Sequence, residues 1–141
     1  MKKLTLACAL LILSLCVFAC SPAAKDVSVE VTCDEFYQSP HISRHLEVPV
    51  GASFKVTLCA NPSTGFGWEE AVIGDPALIE QVSREFVGPD SQPPPPGTPG
   101  QEVWTFKALQ PGQTSISVDY SRPWEGGEKG EWTFTLTLSI N

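Results

Sequence analysis

Trp132-Thr133-Phe134-Thr135-Leu136-Thr137-Leu138-Ser139-Ile140 alternates apolar and hydroxyl-bearing residues without a break. Successive side chains on a strand point to opposite faces, so this period of two describes a strand with one face on a core. Its aromatic and β-branched residues suit a pleated surface. Earlier in the chain the same pattern returns in shorter form. Ile116, Val118 and Tyr120 alternate with polar residues, as do Trp104, Phe106 and Ala108, and Phe54, Val56 and Leu58. Leu46, Val48 and Val50 define another strand, and Val27, Val29 and Val31 the first. Trp68 to Ile73 is a weaker strand and Ile79 to Val87 a further one, while no segment has a convincing helical period. Seven to eight such strands within residues 27–141 predict an all-β fold, an antiparallel β-sandwich, with a small barrel as the alternative.

The alternation also places the connections. If consecutive strands run antiparallel, those ending near Leu58, Val87 and Tyr120 point the same way, and the loops leaving them emerge at one end of the sandwich. These loops are Asn61–Gly67, Gly88–Gly100 and Ser121–Gly130. The first reads Asn61-Pro62-Ser63-Thr64-Gly65-Phe66-Gly67. Pro62 fixes its own φ, Gly65 and Gly67 permit backbone angles that other residues resist, and the hydroxyls of Ser63 and Thr64 can bond nearby backbone. It therefore reads as a shaped loop carrying an exposed aromatic, Phe66. The second carries Pro93 to Pro96 ahead of Gly97-Thr98-Pro99-Gly100. Four prolines favour a stiff polyproline segment, read here as a spacer in preference to an SH3-type ligand. The third carries Arg122-Pro123-Trp124 with Gly126 and Gly127 behind it. Trp124 falls outside the strand alternation, which leaves it exposed as an interface anchor or folded back as a cap on the core.

The N-terminus is read separately. Lys2 and Lys3 precede an apolar run, Leu4 to Phe18, too short for a transmembrane span. The run ends in Val17-Phe18-Ala19-Cys20, which resembles the lipobox of bacterial lipoproteins, Phe18 being bulkier than is usual there; a plain signal peptide with an incidental Cys20 is the alternative. Residues 1–19 are then a signal peptide that discards Cys8 and Cys16, and 20–26 a tether lipidated on Cys20. The domain of 27–141 is expected to be a monomer anchored to the cell envelope, on its periplasmic or its outer side. Removing Lys2 and Lys3 from the nine basic residues leaves seven against sixteen acidic ones, a net charge of about −9. That balance argues against a nucleic-acid partner.

Export leaves Cys33 and Cys59, an even number for an oxidising compartment. Cys33 shares the phase of Val27, Val29 and Val31, whereas Cys59 lies opposite Phe54, Val56 and Leu58. Cysteines paired directly across neighbouring strands share a face, so a Cys33–Cys59 disulfide requires a bulge or strand end to break the phase. Both states stay open.

The three loops, N-P-S-T-G-F, G-T-P-G and R-P-W in chain order, resemble those of the chagasin-type inhibitors of papain-like cysteine peptidases. That family presents N-P-T-T-G-[YF], G-x-G-G and R-P-W on an immunoglobulin-like sandwich. The resemblance extends over the whole domain, including Trp104-Thr105-Phe106 and the long last strand. It implies reversible, tight-binding occlusion of the peptidase cleft without a covalent bond or a cofactor. Asn61, Pro62, Ser63, Thr64, Gly65 and Phe66 would lie over the catalytic cysteine, Ser63 and Thr64 nearest. Gly97, Thr98, Pro99 and Gly100 would grip one flank, and Arg122, Pro123 and Trp124 the other, Trp124 as the apolar anchor. Two positions depart from the pattern. Ser63 replaces threonine and loses a methyl, which predicts a weakened contact at the tip. Pro99 stands where the family has glycine, which predicts an altered second loop.

An enzyme is the rival class. His41 and His45 precede the Phe54 strand, are expected away from the loop end, and have no evident nucleophile or metal partner. Glu69-Glu70 and Glu125 with Glu128 read as solvated acids. The remaining alternative is a non-inhibitory lectin or adhesin with Phe66 and Trp124 as a two-ring sugar platform.

Overall fold

The computed structural model describes residues 27–90 and 93–141. The signal-peptide and lipidation expectations on residues 1–26 lie outside the described residues. From the N-terminus the elements are β1 (Val27–Val31), α1 (Cys33–Gln38), β2 (His41–Val48), β3 (Ser53–Ala60), a single 3-10 turn (Pro62–Thr64), β4 (Gly67–Trp68) and β5 (Val72–Ile73). β6 (Ile79–Val87), β7 (Gly100–Ala108), β8 (Gly112–Ser121) and β9 (Trp132–Ile140) complete the chain. One sheet has the order β1-β3-β7-β6; the other has β2-β9-β8-β4, with β5 also paired to β8. The expected sandwich forms, and its core lies between the sheets. On β9 the apolar set Phe134, Leu136, Leu138 and Ile140 is buried while Thr137 is exposed, which is the alternation that the sequence displays.

The sandwich differs from the expected antiparallel one in several respects. Among the described residues it has nine strands, and two of the pairings are parallel: β1 with β3 and β2 with β9. Parallel pairing becomes available because the chain leaves β1 at the edge of one sheet and enters β2 at the edge of the other, crossing through α1. The expected Trp68–Ile73 strand is broken into two short pieces, β4 and β5. The strand expected through Val50 starts earlier and ends at Val48, leaving Val50 exposed in the following turn.

A further difference is α1, which hydrophobic periodicity does not reveal. Thr32 caps it, its hydroxyl accepting the Glu35 N–H at 3.3 Å, with Asp34 and Glu35 in the first turn where acidic groups favour the helix dipole. Ser39 is extended ahead of Pro40 and ends it. Only Phe36 is buried, so six residues give no measurable helical period.

A disulfide joins Cys33 to Cys59, their Cα atoms 4.9 Å apart. Cys33 opens α1 and has left the strand phase, so the requirement of a shared strand face does not apply to it. Cys59 is fully buried together with Leu58 and Ala60, because both faces of β3 are covered where the sandwich closes at that end.

Candidate functional site

β3, β6 and β8 run in the same direction, β3 and β6 each antiparallel to β7, and the end of β8 meets the end of β3 across the sandwich. The three loops therefore gather at one end, and the contacts between them are direct. Asn61 leaves β3 almost fully buried. Its backbone N–H donates to the Tyr120 hydroxyl at 2.9 Å, and its side-chain Nδ2 donates to the Gly97 carbonyl at 3.0 Å. Its Oδ1 accepts the Ser63 hydroxyl at 2.6 Å, and its carbonyl accepts the Thr64 hydroxyl at 2.7 Å. One side chain thus braces the first loop internally and ties it to the second.

Pro62 opens the 3-10 turn, and Gly65 closes it in the left-handed region at φ 79°, its N–H bonded to the Pro62 carbonyl. Glycine is also required there for space, since a Cβ on Gly65 would lie 2.7 Å from the Trp124 ring. Trp124 is 52 % exposed and rests on that bare backbone. It is therefore a presented side chain braced by the first loop, not a cap on the core.

Phe66 corrects the expectation of an exposed aromatic. It is half-buried, stacked on Tyr120 at 5.7 Å and edge-on to Trp132 at 5.5 Å. The Arg122 guanidinium covers it at 4.5 Å and lies 5.8 Å from the Trp124 ring. Two aromatic faces around one guanidinium make a cation–π arrangement that fixes the third loop to the first. Arg122 is further held by Glu128, whose carboxylate accepts from Nη1 at 2.6 Å. Phe66 and Trp124 do not form a two-ring sugar platform, because Phe66 packs against Tyr120, Trp132 and Arg122 while Trp124 is presented.

In the second loop Thr98 closes a turn onto the Pro95 carbonyl through both its N–H and its hydroxyl. Gly97 has φ 81° and Gly100 starts β7. A Cβ on Gly100 would stand 2.4 Å from the Val87 carbonyl, so that glycine lets the two arms of the loop close. Pro99 sits half-buried between them.

His41 corrects a second expectation. Because β2 runs parallel to β9, His41 pairs with Thr133, next to Trp132, which itself pairs with Tyr120 at the loop end. It is exposed and hydrogen-bonds the Thr133 hydroxyl at 3.0 Å. His45 lies four residues further from that end, also exposed. Among the described residues no group of three His, Cys, Asp or Glu side chains is placed to hold a metal ion. The acids are exposed as expected but not all free: Glu70 pairs with Arg84 and Glu128 with Arg122.

Residues 47–138 match the family described as chagasin family peptidase inhibitor I42. The chain belongs to that family. It is a peptidase inhibitor. Amoebiasin-2 of Entamoeba histolytica is 30% identical over 118 residues, covering 77% of this chain and 91% of that protein. The crystal structure of the cysteine protease inhibitor EhICP2 from Entamoeba histolytica superposes with a TM-score of 0.62 at 24% identity, over 84% of this chain and all of that one. The structure of PbICP-C in complex with falcipain-2 gives 0.51 at 16% identity, over 82% of this chain and 98% of that one. These two likenesses concern the fold.

Two residues that matter to this chagasin-family site escape a reading of motifs. Tyr120 reads as one more inward residue of β8, but its hydroxyl is the partner of the Asn61 N–H. Phe36 anchors α1 against Trp68, Tyr120 and Trp132 at the loop end. The Thr32-x-x-Glu35 spacing, half of a capping box, is the signal that could have revealed that helix.

Proposed function

We propose that this inhibitor acts reversibly on papain-like cysteine peptidases, filling the active-site cleft with the three loops at one end of the sandwich. The observation that carries the reading is the cross-bracing of three segments far apart in sequence: Asn61 to Gly97, Trp124 on Gly65, Arg122 on Phe66. Loops already held in one shape lose little entropy on docking, which turns contact area into affinity. Ser63 and Thr64 form the exposed tip and would approach the catalytic cysteine most closely. Pro62 and Gly65 set the curvature of that tip. Gly97, Thr98, Pro99 and Gly100 flank it on one side, and Arg122, Pro123 and Trp124 on the other. Inhibition is steric, with no covalent bond and no cleaved peptide. The protein itself is not an enzyme. Its N-terminus would place it in the bacterial envelope as a monomer lipidated on Cys20.

Titration of the purified domain against active papain tests this. The expected result is stoichiometric, dilution-reversible inhibition with the inhibitor recovered intact; no inhibition at micromolar concentration would sink the reading. In the same assay Trp124→Ala should weaken inhibition by roughly 30-fold or more, as truncation of a central aromatic anchor does. Its stability should change by no more than about 1 kcal/mol, because the ring is half exposed. A large loss of stability instead would mean that Trp124 works as a cap on the fold.

A further inference from the structure

Beside the three loops the same end of the molecule carries a groove of about 280 Å³, lined by Phe36 and Tyr37 of α1, Thr64 and Phe66 of the first loop, and Arg122 of the third. Apolar atoms dominate it. Its size is just below the roughly 300–1,000 Å³ of small-molecule sites, and suits one inserted aliphatic or aromatic side chain. Tyr37 stands at the groove 56 % exposed, while its neighbour Phe36 is 2 % exposed and carries the helix into the core. The two rings meet edge to face at 5.4 Å, so Tyr37 is supported from beneath. The helix is fixed at one end by the Cys33–Cys59 bond and on its side by an ion pair between Glu35 and Arg44.

From this we infer that α1 is a fourth contact element of the inhibitor. Tyr37 and the groove receive an apolar side chain from the wall of the peptidase beside its cleft. The inference rests on the loop end being the peptidase-facing surface, and it deepens that reading. Two features favour the peptidase as occupant. The groove is continuous with the wedge, since Thr64 belongs to both the tip and the groove, and Arg122 to both the third loop and the groove. Tyrosine on a rigid support is among the residue types that carry binding energy at interfaces, having an apolar body and a polar tip. This α1 contact lies beside the tip formed by the first loop and not on it. It would discriminate among peptidases by their cleft walls, whereas the three loops engage what such clefts have in common.

The test measures inhibition constants of wild type, Tyr37→Ala, Tyr37→Phe and Trp124→Ala over a panel of papain-like peptidases, with thermal unfolding of each variant. Tyr37→Ala is expected to raise the inhibition constant about tenfold or more for at least one peptidase, and by different factors across the panel, with an unchanged melting temperature. Tyr37→Phe should retain most of the affinity. If Tyr37→Ala leaves every inhibition constant unchanged while Trp124→Ala raises them, the fourth contact is refuted and the three-loop reading stands. If neither variant matters, or the wild type inhibits nothing, the underlying reading itself fails. Sedimentation of the wild type alone covers the other occupant: a dimer dissociated by Tyr37→Ala would assign the groove to a second copy and overturn the inference.

Discussion

Asn61 has its backbone N–H, its carbonyl, its amide nitrogen and its amide oxygen all engaged, by Tyr120, Thr64, Gly97 and Ser63 respectively. Buried polar groups are costly unless paired, so full occupancy at such a position specifies one loop geometry. Tyr120 supplies the least obvious of these partners, and its ionisation reports on the arrangement. Burial raises the phenol above its ordinary value of 10.0, outweighing the bonds with Asn61 and Thr64 that lower it. In the unfolded chain Tyr120 ionises near pH 10, whereas in the folded protein it keeps its proton to higher pH. The associated stability is therefore complete below about pH 10 and declines as pH rises beyond it. Urea titrations between about pH 9 and 11 should show wild type losing stability more steeply than Tyr120→Phe, since the other titrating groups are common to both. Parallel curves would mean that the phenol is not held this way. The N-P-S-T-G-F motif marks Asn61 as part of the loop but not as its hub. The partners that make it a hub are 36 and 59 residues away.

At the scale of elements, the long strands were legible and the short ones were not. β9 repeats its period over nine residues, enough to reveal which face is buried, whereas α1 is six residues with one buried side chain. The break between β4 and β5 was hidden for the same reason, each piece being two residues long. The disulfide belongs to this scale, because it ties α1 to the end of β3 just before the first loop. It closes a segment of 26 residues, for which restriction of the unfolded chain is worth about 3.5 kcal/mol. Replacing Cys33 and Cys59 together by serine should lower the unfolding free energy by roughly that amount. Equilibrium denaturation of both forms would reveal it, and equal midpoints would rule out a stabilising role. By alternation both cysteines are strand residues, but a helix begins at Cys33, so the shared-face requirement does not hold for it.

Across the whole molecule, two sheets must stay in register for the three loops to remain together. Arg84 on β6 acts as a clamp between them. Its Nε donates to Glu102 at 2.7 Å within its own sheet, Nη1 to Glu70 at 2.9 Å, and Nη2 to the Trp68 carbonyl of the other sheet. Its guanidinium lies over the Trp104 ring at 5.2 Å. Arg84→Met would leave Glu102 nearly buried without its cation and is expected to cost roughly 3 kcal/mol, measured by urea unfolding. A loss below about 0.5 kcal/mol would mean the clamp is an ordinary surface ion pair. By itself, the sequence determined the all-β class, the inward faces of the long strands and the three loops that share one end. All of these follow from a period of two and from turn residues, which act over a few positions. Only the tertiary structure decided the parallel pairings of β1 and β2, the inward turn of Phe66, the placement of His41 at the loop end, and the meeting of Asn61, Tyr120, Gly97, Gly65 and Trp124. Those depend on which distant segments become neighbours once apolar faces are buried, and no local pattern records that choice.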